Sequence, residues 1–262
     1  MPNHKTALIT GASFGIGMEL ARIFARDGYN LVLVARSADK LRQLASELEK
    51  AHGTRSLILA TDLTAPGAAA YVLDQTTRAD ITVDVLVNNA GFGQFGFFAE
   101  NDLEECLKQI QLNITTLTHL TRLYLPGMIE RKTGRILNVA STAAFQPGPL
   151  MAVYYATKAY VLHFSEAIAN ELKGTGVTAT CLCPGATATE FHKRANMTHI
   201  QLLRFGAMGA RTVAEDGYRA LMAGKPVVIS GFKNWLLAQS VRFSPRQMVT
   251  AVARKLQEVR NQ

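Results

Sequence analysis

Tyr154 and Lys158 stand four apart in Tyr154-Tyr155-Ala156-Thr157-Lys158, a spacing that puts both side chains on one helix face. A phenol has a reference pKa of about 10 and exchanges protons poorly near neutrality. An ammonium beside it favours the phenolate and moves that pKa towards the working range. The pair is thus a candidate for proton transfer at an oxygen. Tyr155 is only three residues from Lys158 and competes for the role. Tyr-x-x-x-Lys alone specifies little, because many helices contain it by chance.

A second group lies near the N-terminus, in Thr10-Gly11-Ala12-Ser13-Phe14-Gly15-Ile16-Gly17. Three glycines between an apolar strand and a helix let the chain turn sharply and let backbone approach a pyrophosphate. The helix start adds free N–H groups and a positive dipole end. The expected contacts are Gly11, Ser13, Phe14, Gly15, Ile16 and Gly17. Tight turns use the same residues, so the position between strand and helix carries the reading. Roughly 20 residues on, the second strand ends at Ala35-Arg36, with no acid beside it; Asp39 is three residues later. An acid there would bind a ribose 2′-hydroxyl, whereas an arginine suits a 2′-phosphate through its forked donors. Arg36 therefore favours NADP over NAD, with an exposed strand-end arginine as the alternative.

The elements that must position these groups alternate. Strands are expected at 6–10, 31–34, 56–60, 83–87, 135–139, 177–182 and 227–230. Helices are expected at 15–27, 38–52, between the third and fourth strands, and at 101–130 and 152–173. Strands apolar throughout belong between helical layers. The pattern predicts an α/β fold: a doubly wound, Rossmann-type parallel sheet of about seven strands with helices on both faces. One domain is expected over residues 1–262, with a helical C-terminal extension over about 232–262. That tail opens with Phe232-Lys233-Asn234-Trp235-Leu236-Leu237 and continues as a basic helix from about 245 to 260.

Composition narrows the function. Apolar residues make up 48% of the chain and charged residues 18%, enough apolar content for a large core. Lys and Arg exceed Asp and Glu by 28 to 20, a net charge of +8. The cations are scattered, so a phosphate-bearing cofactor accounts for them better than nucleic acid. Cys106, Cys181 and Cys183 make neither a disulfide framework nor a redox CxxC, and they read as buried thiols. The six histidines have no metal spacing, so no metal is expected. Ser141 lacks the Gly-x-Ser-x-Gly elbow of a hydrolase. Residues 136–157 carry no charge, but Asn138, Gln146, Pro147, Gly148 and Pro149 make them a poor membrane helix. The expected location is cytoplasmic.

In combination, these features identify a family. Thr10 to Gly17, Asp62-Leu63, Asn88-Asn89-Ala90-Gly91, Asn113, Ser141, Tyr154/Lys158 and Pro184-Gly185 occur in one order over residues 5 to about 190. The chain resembles the short-chain dehydrogenase/reductase family. The resemblance implies that Tyr154 donates or accepts the proton at a carbonyl oxygen. It implies that Lys158 lowers the tyrosine's pKa and holds the nicotinamide ribose, and that Ser141 holds the substrate oxygen. Asn113 would support a water leading protons to Lys158; read alone, it is equally a polar residue at a helix bend. Asp62, with Leu63, would contact the adenine. Asn89, with Ala90 and Gly91, would shape the cofactor pocket. Pro184, Gly185, Thr187 and Thr189 would form the nicotinamide-side loop, with Thr189 at the carboxamide.

The implied activity is NADP(H)-dependent hydride transfer between nicotinamide and a carbonyl or alcohol. Phe92, Phe95, Phe97, Phe98, Phe145, Met151, Phe191, Leu202, Leu203 and Phe205 suggest an apolar substrate side, although aromatics pack cores and subunit contacts equally well. A non-catalytic NADP-binding sensor is the main alternative, and the complete Asn113, Ser141, Tyr154, Lys158 set argues against it. A homodimer or homotetramer is expected. The Trp235 tail suits a subunit contact better than a membrane surface.

Overall fold

In the computed structural model, which describes residues 4–188 and 207–258, the alternation is realised. Strand β1 (Thr6–Thr10) leads to helix α1 (Gly15–Arg26), β2 (Asn30–Ala35), α2 (Ala38–His52), β3 (Ser56–Ala60) and α3 (Ala68–Arg78). The chain then forms β4 (Val85–Asn88), α4 (Leu103–Ile110), a π-helical segment (Gln111–Thr116) and α5 (Leu117–Glu130). Next come β5 (Gly134–Val139), a 3₁₀ turn (Thr142–Phe145), α6 (Ala152–Glu171), β6 (Val177–Cys183) and β7 (Thr187–Ala188). The last described part holds β8 (Met208–Gly209), α7 (Ala210–Met222), β9 (Val227–Ile229), α8 (Phe232–Ser240) and α9 (Arg246–Gln257).

Seven strands form one parallel sheet in the order β3-β2-β1-β4-β5-β6-β9. The order reverses between β1 and β4, which opens a crevice at the strands' C-terminal ends. Every residue of β1 and β4 is buried, as a sheet covered on both faces requires. One core joins the sheet to Leu20 and Phe24 of α1, Leu41 and Leu48 of α2, and Val213 and Leu221 of α7. The other joins it to Val72 of α3, Leu120 and Met128 of α5, and Ile168 of α6. These two cores hold the strand ends in fixed register.

The expected helix over 101–130 runs unbroken from Leu103 to Glu130, as two α-helical segments joined by a π-helical middle. Its first turn is capped by Asp102, whose carboxylate accepts from the Glu104 amide at 2.9 Å. The middle widens to π-helix around Asn113, the position a helix-bend reading singles out. Residues 136–157 form β5, the 3₁₀ turn and the start of α6, as their prolines and polar residues require. No helix among the described residues is long and apolar enough to cross a membrane.

Candidate active site

The C-terminal ends of β1 to β6 contribute to one cleft of about 500 Å³. After β1 come Gly11, Ser13, Phe14, Gly15 and Ile16; after β2, Arg36; after β3, Asp62 and Leu63. Asn89, Ala90 and Gly91 follow β4, Ser141 follows β5, and Pro184, Gly185 and Thr187 follow β6. Tyr154 and Lys158 enter from the first turns of α6. Gly17 and Asn113 stand behind the lining. Thr189, Phe191, Leu202, Leu203 and Phe205 lie outside the described residues.

The glycine turn is built for close approach. Gly11 and Gly15 have φ of +67° and +60°, where a side chain is strained. A Cβ on Gly17 would lie 2.4 Å from the Gly11 carbonyl and 2.5 Å from Asn89 Nδ2. Asn89 needs that space, because its Nδ2 donates to the carbonyls of Thr10 (2.9 Å) and Gly11 (3.3 Å). Thr10 Oγ1 accepts from the amides of Asn89 and Ala90, each at 3.0 Å, and donates to Val87 O. The β1 and β4 ends are thus tied together beneath the cleft. No side chain caps α1, and its first turn carries no acid, so the helix start offers amides and a positive dipole end to an anion.

Arg36 is exposed at the rim. Lys40 of α2, four residues on, lines the same end with Ser37. Lys40, in the first turn of α2, is close to Arg36 in sequence but has no motif of its own. Burial raises the Asp62 pKa, yet Thr64, through its amide and hydroxyl at 2.9 Å, holds it net below the ordinary value, helped by Arg36 and Lys108. Asp62 therefore carries its charge at neutral pH. The fit to a dinucleotide phosphate is good at one end of the cleft: tight glycines, an uncapped helix start and two cations.

The other end holds the proton-transfer candidates. Ser141 Oγ hydrogen-bonds the Tyr154 hydroxyl, and it also accepts from the Ala143 amide at 3.1 Å. Lys158 is 6% exposed; its Nζ donates to the Val139 carbonyl at 2.8 Å and lies 5.7 Å from the Tyr154 ring centroid. Burial lowers the Lys158 pKa to about 8. For Tyr154 the expected direction is reversed. Burial raises its pKa, and the Ser141 hydrogen bond lowers it only in part. Lys158, whose Nζ donates to Val139 O and stands over the ring, is not among the groups that shift the Tyr154 hydroxyl. The phenol is consequently protonated at neutral pH, the state a proton donor requires.

Tyr155 does not compete. Its ring packs on Gly148, where a Cβ would lie 2.2 Å from it. Its hydroxyl accepts from Gln257 Nε2 of α9, and burial raises its pKa to about 12. The sequence alone left this choice open, and the partner that decides it lies 102 residues away.

Asn113 is 1% exposed. Its Oδ1 accepts from the Phe92 amide at 3.2 Å, while Nδ2 donates to Phe92 O at 2.9 Å and Thr157 Oγ1 at 3.0 Å. Thr157 Oγ1 in turn donates to Tyr154 O at 2.7 Å. Asn113 therefore pins the loop after β4 to the first turns of α6. Gly91 admits this approach: its Cβ would sit 3.0 Å from Asn113 Oδ1 and 3.4 Å from Lys158 Nζ. A further network escaped the sequence reading. Asn88 Nδ2 donates to Thr121 Oγ1 and Asn138 Oδ1, and Asn138 Nδ2 donates to Ser165 Oγ. It couples β4, β5, α5 and α6 in the interior, and only the sheet order brings its members together.

The aromatic substrate side divides. Phe92 and Met151 line the cleft, joined by Leu112. Phe145 packs into a core cluster, and Phe97 and Phe98 face outward. Asn234 of α8 packs on Gly185, whose Cβ would fall 2.4 Å from its Nδ2. The tail is thereby part of the site's support.

A family model described as short chain dehydrogenase matches residues 5–199. The chain belongs to the short-chain dehydrogenase/reductase family. This is a family of oxidoreductases acting on CH–OH and C=O groups. A very-long-chain 3-oxoacyl-CoA reductase from Bos taurus is 36% identical over 192 residues, covering 71% of this chain and 61% of that protein. The chain thus spans about three fifths of the length of the curated relatives it matches. A short-chain dehydrogenase from Sphingobium yanoikuyae, solved with NADPH, superposes with a TM-score of 0.81 at 35% identity, covering 91% of this chain and 94% of that one. A bulky-bulky ketone specific alcohol dehydrogenase from Comamonas testosteroni gives 0.78 at 30% identity, with 92% and 93% covered.

Proposed function

We propose that this short-chain dehydrogenase/reductase is an NADP(H)-dependent enzyme that interconverts a carbonyl and an alcohol, with an apolar substrate side. The observation that carries the reading is the Ser141–Tyr154 hydrogen bond beside buried Lys158, in the same cleft as the glycine turn and Arg36. The NADPH-bound Sphingobium neighbour and the ketone-specific Comamonas enzyme support it.

Bound nicotinamide would supply or take the hydride. The glycine turn and the start of α1 would hold the pyrophosphate, with Asn89, Ala90 and Gly91 beside it. Asp62 and Leu63 would lie at the adenine. Pro184, Gly185, Thr187 and Thr189 would border the nicotinamide. Ser141 Oγ would orient the substrate oxygen, and the Tyr154 hydroxyl would donate its proton there in reduction. Lys158 would bind the ribose, and Asn113 would hold a water that returns protons towards Lys158. Phe92, Leu112 and Met151 offer apolar contacts to the substrate. The wider reading is one domain over 1–262, with its helical tail, acting in the cytoplasm as a homodimer or homotetramer.

Two measurements test the two halves. NADPH absorbance should fall with aryl and alkyl ketones as substrates, and an inert panel would remove the carbonyl reading. Arg36→Ala should raise the NADPH Kd by roughly tenfold or more, the scale of a lost charge-assisted phosphate contact, and leave the NADH Kd nearly unchanged. Equal losses for the two cofactors would remove the 2′-phosphate role.

A further inference from the structure

The C-terminal tail has two unlike sides. One side is buried: Ala238, Ala253 and Gln257 face the body of the protein, Asn234 packs on Gly185, and Arg254 lies 4.9 Å from the Phe97 ring centroid. The other side exposes large apolar groups. Phe232, Trp235 and Leu236 have the i, i+3, i+4 spacing of a shared helix face, and the rings of Phe232 and Trp235 stack at 5.8 Å. Phe232 is 76% exposed and, just beyond α8, Phe243 is 88% exposed.

Cations border these groups. Lys233, Arg242, Arg246 and Lys255 are exposed and have no acidic partner among the described residues. Over 232–258 the sole acid is Glu258, paired with Arg254. Exposed aromatic and aliphatic side chains ringed by unpaired Lys and Arg fit the boundary between lipid headgroups and acyl chains. Packing against a second subunit, the expectation from composition alone, meets an electrostatic obstacle. A two-fold contact through this face would set the same cations against one another.

We infer that the exposed face of α8, Phe243 and the start of α9 docks on an anionic membrane surface. The tail lies flat on the bilayer, with Trp235 and its neighbours at headgroup depth and Lys233, Arg242 and Arg246 against lipid phosphates. Trp235 is the only tryptophan in the chain, so its fluorescence reports on this face alone.

The test adds full-length protein to vesicles of phosphatidylcholine, alone or mixed with phosphatidylglycerol. Trp235 emission should shift to the blue and the protein should co-sediment with the mixed vesicles at low salt. Both signals should weaken as salt rises. Arg242→Glu with Arg246→Glu should weaken vesicle binding by on the order of tenfold or more, and Leu236→Glu with Leu237→Glu should also weaken it. Circular-dichroism melting shows that each variant is folded, so the result does not depend on the enzymatic reading. Three results overturn the inference: no shift on anionic vesicles, equal binding to neutral vesicles, or a lipid-free shift that accompanies a doubled solution mass. The last assigns the face to self-association.

Discussion

Tyr154→Phe should lower kcat for ketone reduction by roughly 10²–10⁴-fold, the range for losing a positioned general acid, while NADPH binds with nearly unchanged Kd. The change removes one hydroxyl and preserves the ring. That ring stays within 6.1 Å of Tyr155 in an edge-to-face contact. Its backbone carbonyl still accepts from Thr157. Ser141 Oγ loses a partner but keeps the Ala143 amide. A single hydrogen bond of this kind contributes about 1 kcal/mol to stability, so the variant should remain folded. Retained activity would move the donor elsewhere, and Tyr155→Phe is the control. The Tyr155 hydroxyl is bonded to Gln257 and its ring packs on Gly148, so loss of that hydroxyl should affect stability more than turnover. Steady-state kinetics with NADPH fluorescence titration separates the two outcomes.

What could be read without coordinates was mostly local. Helix α2 occupies 38–52 as expected because Gly53 ends it in the left-handed region at φ +68°, a stop signal written into the sequence. β3 likewise falls on Ser56–Ala60. The glycine turn, Arg36 and the Tyr154/Lys158 pair were legible because each sits at a strand end or helix start and is defined by spacing. The missing parts depend on contacts across long separations. Asn138 meets Ser165 and Asn88 only once β4 and β5 are adjacent. The Gln257 bond that excludes Tyr155 joins two helices with no shared sequence signal. The π-helical turn carries Asn113, which bonds to Phe92 and Thr157, both remote in sequence. The raised Tyr154 pKa is not legible in the sequence, because spacing shows that an ammonium is near but not how little water remains around the phenol.

Burial at Lys158 leads to the other large expected effect, which separates stability from activity. Its folded pKa of about 8 lies below the ordinary lysine value of 10.5. The folded state therefore disfavours the ammonium. Below about pH 8 both states are charged and the full cost is present, about 3 kcal/mol by the pKa difference. Between about pH 8 and 10.5 the unfolded chain binds more protons, so stability rises with pH and the cost fades. Lys158→Met keeps the stem's packing and removes the charge. It also loses the bond to Val139 O, a cost of about 1 kcal/mol. The variant should thus be more stable than the parent at pH 7 by about 1–2 kcal/mol, which is a Tm gain of roughly 2–6 °C at this chain length. That advantage should shrink towards pH 10. Turnover with ketones should fall at least as far as in Tyr154→Phe, because the proposed ribose contact and the proton route both depend on the amine. Melting curves of parent and variant across pH 6–10, paired with NADPH-linked rates, read both effects. A variant that melts lower at pH 7, or a Tm difference that ignores pH, would show that burial of this amine is offset within the fold.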